Sequence, residues 1–177
     1  MGPSISNVFF FAWGETKPKT DYSWITCKWY ENIKIDVVGN PKDYTKYVAD
    51  SAIGSVDNRC VLAAEDDAAT ANWGAEWRMP TPDEVKELVA GCNWEWTPDF
   101  YGSGVAGKVA TSITNGSKIF LPAAGDCWNS HIDRYYWTSS RGIYSTRFAY
   151  NHFFCCDDID WYEIGRYRGC CVRAVLK

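Results

Sequence analysis

Trp77-Arg78-Met79-Pro80-Thr81-Pro82-Asp83-Glu84-Val85-Lys86-Glu87-Leu88-Val89-Ala90-Gly91 is the stretch from which the fold can be read. Thr81 reads as a helix N-cap, Pro82 as the first helical residue and Glu84 as the reciprocal partner three positions after the cap. Val85, Leu88 and Val89 recur at i, i+3 and i+4 and mark the buried face, and Gly91 stops the helix. Toward the N-terminus, residues 65–72 read as a second, shorter helix. Asp66 and Asp67 favour its start, alanines follow, and Asn72-Trp73-Gly74 ends it. Toward the C-terminus the pattern turns strand-like over 94–96, 107–113, 118–121, 135–139, 146–154 and 171–176, with Asn115-Gly116 as a hairpin turn. Residues 5–13 read as a strand running into a turn at Ala12-Trp13-Gly14. Residues 15–60 are polar and aromatic without a long period and read as an ordered, loop-rich insertion. Within it Gly39-Asn40-Pro41 is a turn, and 44–48 is a short strand or a helical turn. Helices early and strands late predict an α+β domain with a mainly antiparallel sheet. No repeat or low-complexity linker interrupts the chain, so 1–177 reads as one domain.

A chain of 177 residues buries roughly 70% of its unfolded surface, enough for a core without staples. With 46% hydrophobic and 23% charged residues the chain is globular rather than disordered. A net charge of −4 argues against nucleic acid as a partner. No apolar run reaches the roughly 18 residues of a membrane span, and no basic stretch followed by an apolar one marks a signal peptide. Aromatics make up 16% of the chain, with ten Trp and eleven Tyr. These side chains suit binding surfaces as well as cores. Eight cysteines would allow disulfides, which are optional at this length. The vicinal pairs Cys155-Cys156 and Cys170-Cys171 lack the C-x₂₋₄-C spacing of a zinc site. Adjacent strand side chains diverge, so each pair is expected to bury one sulfur, expose the other and stay reduced. His131 and His152 are too few for a histidine-rich catalytic metal centre.

Seven strings in order resemble one family: Phe11-Ala12-Trp13-Gly14-Glu15, Asp66-Asp67-Ala68-Ala69, Asn72-Trp73-Gly74, Trp77-Arg78-Met79-Pro80-Thr81, Leu121-Pro122-Ala123-Ala124-Gly125, Tyr136-Trp137-Thr138-Ser139-Ser140, and Arg166-x-x-Gly169-x-x-Val172-Arg173. Together they resemble the bacterial major paralogous domain, a C-type lectin-like domain related to formylglycine-generating enzymes, from about residue 9 to 176. The resemblance implies a C-type lectin-like fold: two helices packed on a small twisted antiparallel sheet, with long loops that bind. It also implies that Arg166 and Arg173 are structural donors holding loops. Some members of this fold are variable proteins of diversity-generating retroelements in phages and bacteria. In these, adenine-directed mutagenesis diversifies a C-terminal stretch displayed on a constant frame. Residues 134–171 are similar to such a stretch.

Mutating both adenines of an AAC codon yields Tyr, Ser, Arg, Cys, Asp, His, Ile, Phe or Gly, among others, but never Lys, Glu, Gln, Met or Trp. No Lys occurs over 119–176, although the chain has ten. Trp161 and Glu163 must then be fixed by the template. The expected ligand-binding surface comprises Arg141, Ile143, Tyr144, Thr146, Arg147, Tyr150, His152, Cys155, Asp157, Asp158, Tyr162, Ile164, Tyr167 and Arg168. Alternate residues are expected to face solvent while Phe148, Phe154 and Val172 face the core, because a period of two lets one face vary without harming packing. The implied partner is a protein or glycan on another cell surface, and the implied location is a phage virion or a bacterial surface. The competing readings are a fixed, surface or secreted carbohydrate-binding module and a copper-dependent cysteine oxidase. Cys170-Cys171 falls near the oxidases' cysteine position, but adjacent sulfurs make a poor two-coordinate copper site. Ser139 and Ser140 lack a G-x-S-x-G elbow, and Asp83, Glu84 and Glu87 read as helix-start carboxylates, so no enzyme and no cofactor are expected. The Asp157-Asp158-x-Asp160 run offers oxygens of the kind calcium takes. It lacks the Gly and distal Glu of an EF-hand and reads better as a solvated acidic turn.

Overall fold

The structure, a computed structural model, describes residues 9–36, 39, 41–123, 134–155 and 158–177. Its elements are strands β1 (Tyr30–Ile35) and β2 (Pro41–Tyr44), helix α1 (Ala68–Trp73), β3 (Trp77–Arg78), helix α2 (Pro82–Ala90), β4 (Cys92–Thr97), β5 (Gly107–Ser112), β6 (Lys118–Pro122), β7 (Arg134–Arg141), β8 (Phe148–Phe154), β9 (Ile159–Gly165) and β10 (Val175–Leu176). The fold is α+β. Its strands form four small antiparallel sheets, β1-β2, β3-β10, β4-β5-β6 and β7-β8-β9, where one was expected. Isolated bridges stand where longer ladders would join them. Phe11 pairs with Cys170 and Tyr136 with Cys171, so the segments around residues 11 and 170 meet beside β7.

The quoted stretch folds as its letters require. The Thr81 hydroxyl accepts from the Glu84 amide at 3.2 Å, and the Glu84 carboxylate accepts from the Thr81 amide at 2.8 Å. The Arg78 guanidinium also grips that carboxylate. With the Thr81 bonds it holds the Glu84 carboxyl down at about 2, against the effect of burial. Val85 is buried, while Leu88 and Val89 are half-buried. Helix α1 begins later than expected, at Ala68, because Asp67 is its cap. One Asp67 oxygen accepts from Ala69 and Thr70 at 2.8 and 3.0 Å, and the other accepts from Met79 at 2.9 Å. Residues 64–66 form a separate turn of 3-10 helix.

The loop-rich segment 15–60 supplies part of the core. Trp29, Tyr44, Tyr47, Val48 and Ile53 enter the main core with Trp13, Met79 and Trp137. Tyr47 has φ 62°, which excludes both a strand and a helical turn over 44–48. The expected strand at 5–13 reduces, among the described residues, to the single pairing of Phe11, and residues 5–8 lie outside them.

At the centre of the core lies Arg166, with 0% of its surface exposed. Its guanidinium donates to three backbone carbonyls, those of Lys46 at 3.0 Å, Thr146 at 3.1 Å and Tyr47 at 3.4 Å. The rings of Tyr44 and Trp13 lie 4.9 and 5.0 Å from it. The three diverging acceptors suit the planar fork of a guanidinium better than an ammonium, and the ring faces favour a cation between them. The structure thus places Arg166 as a donor that holds loops. Its fellow scaffold position, Arg173, is exposed. Buried indoles also reach backbone acceptors: Trp13 donates to Thr138 at 2.9 Å, Trp29 to Trp13 at 3.0 Å and Trp137 to Phe11 at 2.7 Å. Cys170 and Cys171 are both buried, contrary to the expectation of one sulfur outside. Their backbones pair with Phe11 and with Tyr136 of β7 respectively. Cys27, Cys60, Cys92 and Cys155 are free thiols, and Cys127 and Cys156 lie outside the described residues.

Candidate aromatic binding surface

The β7-β8-β9 sheet and the loops between its strands carry most of the expected surface. Register pairs Phe148 with Gly165, Tyr150 with Glu163 and His152 with Trp161, so these residues share one face. At the open end of that face is a cleft of about 400 Å³ lined by Tyr144, Phe148, Tyr150, Trp161, Tyr162 and Glu163. Tyr144 is 85% exposed, Trp161 46% and Tyr162 45%, and Ile143 stands clear of the surface beside them. On the reverse face the Tyr162 ring meets Phe153 edge-on at 5.8 Å, and Phe153 meets Tyr135 at 5.1 Å. These stiff aromatic side chains offer contact area with few torsions to freeze.

Glu163 organises the cleft. Its carboxylate accepts from the amides of Ile143 at 2.8 Å and Tyr144 at 3.2 Å, which fixes the loop that presents both side chains. A Cβ at Gly142 would lie 2.3 Å from that carboxylate, so a larger residue there would push the Glu163 side chain off the loop. Burial, reinforced by the Glu163 charge, pushes the Tyr150 phenol above its ordinary range. Asp160, foremost, does the same to Tyr162.

The remaining expected contacts are placed differently. Thr146 is buried; its hydroxyl accepts from Ala49 at 3.1 Å and its carbonyl accepts from Arg166. It therefore holds the frame together and is not on the surface. His152 is 3% exposed because α2 packs over its end of the sheet. Burial, aided by the Lys108 charge and opposed by Asp160, pushes the imidazole down to about 4. Ile164 and Tyr167 pack against the core from the reverse face. Phe148, expected in the core, is 38% exposed and lines the cleft. The alternation therefore holds only where no helix covers the sheet.

Arg141 braces the 59–60 segment, its amide donating to Cys60 at 2.7 Å. Arg147 forms an ion pair with Asp36 at 2.9 Å. The Asp158 carboxylate accepts from the Ile159 amide at 2.8 Å, and Cys155 closes the same turn by donating to the Asp158 carbonyl at 3.0 Å. Arg168 is half-buried. Asp157 lies outside the described residues. Among the described residues no group of three His, Cys, Asp or Glu side chains is arranged to hold a metal.

Sequence reasoning missed Phe148, Trp161 and Glu163 as cleft residues. Phe148 shares the parity of Tyr150 along the strand, which was the available signal. Trp161 and Glu163 cannot arise from an AAC codon, but a constant residue can line a variable site. Nothing among family models, curated proteins or solved structures matches the chain.

Proposed function

We propose that the chain is a ligand-recognition protein with a C-type lectin-like fold, and that residues 134–171 are its diversified surface, as in the variable proteins of diversity-generating retroelements. Its target on this reading is a protein or glycan on another cell, met from a phage virion or a bacterial surface. One observation carries the reading: the exposed rings at the cleft and on the adjoining reverse face are separate from the groups that hold the frame. Tyr144 and Tyr162 project into solvent, while Arg166 and Trp137 are sealed inside. Glu163 and Trp161, which adenine mutagenesis of an AAC codon cannot produce, occupy a loop-anchoring position and the cleft wall respectively. Such a division lets side chains change without loss of folding.

We assign no catalytic step to the protein, since Cys170 and Cys171 are enclosed on both sides. Among the described residues no helix is long and apolar enough to cross a membrane. Sequencing further copies of the locus tests the proposal. Substitutions should concentrate at Ile143, Tyr144, Tyr150 and Tyr162 and spare Trp161, Glu163 and Arg166. Identical copies, or changes spread evenly along the chain, would sink it in favour of a fixed carbohydrate-binding module.

A further inference from the structure

A second concavity lies on the same sheet face as the aromatic cleft, beneath α2. It has a volume of about 320 Å³, and its walls include Val85, Leu88, Ile119, Leu121, Ala174 and Val175. An apolar cavity of about 150 Å³ admits benzene, so this one has room for roughly a dozen heavy atoms. Most polar groups around it are already engaged. Tyr136 donates to the Pro122 carbonyl at 2.9 Å, Trp137 to Phe11, and Glu84 is held by Arg78 and Thr81. His152 is the exception. It lines the pocket, is 3% exposed, and closes a well-formed hydrogen bond with neither ring nitrogen, although the Asp160 backbone approaches it. A buried imidazole with unused bonding capacity is costly until a partner arrives.

We propose that this pocket is a second binding site, which takes a small uncharged apolar molecule bearing a single hydroxyl, an alcohol or a phenol, with that hydroxyl on the His152 imidazole. A neutral imidazole offers one donor and one acceptor on divergent ring nitrogens, and a hydroxyl can answer whichever of the two faces the pocket. An ionised ligand fits poorly. Its charge would leave water for apolar walls, and Arg173 at the rim is exposed and offers little in return. The site is distinct from the cleft. Between them lies a narrow gap of about 70 Å³ lined by Val85, Tyr150 and Trp161.

The test is an NMR titration of the whole chain with 2-naphthol and with naphthalene, which lacks the hydroxyl. The expected result is saturable shifts at Val85, Leu88 and His152, with 2-naphthol bound at least about fivefold tighter. His152→Phe should equalise the two ligands. Leu88→Trp, which puts an indole into the pocket, should abolish both, and Tyr144→Ser should change neither. The proposal is overturned by absence of saturable shifts up to the solubility limit, by equal affinities in the unmodified protein, or by undiminished binding in Leu88→Trp. Should His152→Phe fail to fold, the two-ligand comparison and Leu88→Trp decide.

Discussion

Replacing Arg166 by Met tests whether the core is organised by a fork of hydrogen bonds or by bulk apolar packing. Met keeps much of the length and removes the charge. It leaves the carbonyls of Lys46, Tyr47 and Thr146 without their buried donor. Each orphaned carbonyl costs about 1–3 kcal/mol. Removing a desolvated cation returns several kcal/mol, so the net expectation is a loss of about 3 kcal/mol. Arg166→Lys retains the charge but cannot span three acceptors, and should lose about 2 kcal/mol. Urea unfolding followed by tryptophan fluorescence reads both variants. With a slope of about 1–3 kcal/mol per molar urea, the Met variant's midpoint should fall by about 1–3 M. A fall below about 0.5 M, or a gain, would refute the reasoning, because desolvation would then outweigh the bonds to the three carbonyls.

Tyr144→Ser and Tyr162→Ser should each stay within about 0.5 kcal/mol of the parent in the same assay, and a larger loss would mean that the cleft helps hold the frame. Asp67→Ala removes the cap of α1 and the acceptor for Met79, and should cost about 2–3 kcal/mol with a fall in helical circular dichroism. His152 carries a pH signature. Its folded pKa, about 4, lies below the ordinary 6.5, so the unfolded chain binds the proton more readily. The associated stability is complete above pH ~6.5 and is lost as pH falls toward ~4, amounting to up to about 3 kcal/mol. Unfolding measured at pH 7.5 and 4.5 should show a steeper decline for the parent than for His152→Phe, and parallel declines would contradict the burial argument.

Local chemistry was legible where a motif is self-contained. Thr81, Pro82, Glu84 and Gly91 define α2 through bonds within a few residues of each other, and Asn115-Gly116 gave its hairpin, with Gly116 at φ 71°. Long-range aromatic packing was not legible. Trp29, Tyr44 and Tyr47 come from a segment without a long period and pack against Arg166, more than a hundred residues away. Strand β9 escaped notice because Asp160 and Glu163 lower strand propensity, although its neighbour β8 supplies the pairing. Of the expected surface, Tyr144, Tyr150 and Tyr162 reached the cleft. Thr146, His152, Ile164 and Tyr167 did not, since a period of two says which residues share a face and not which face is covered.

Strand β9 also ends its sheet, so one row of its backbone groups points away from β8. Two donors in that row are already satisfied: the Asp158 carboxylate takes the Ile159 amide and the Asp160 carboxylate takes the Trp161 amide, at 2.8 and 2.7 Å. An outer strand rich in tryptophan and tyrosine would otherwise recruit its own kind into fibrils. With their carboxylates on these outward amides, the two aspartates oppose the pairing of a further strand there, so neutralising both should raise the tendency of the chain to self-assemble through this rim.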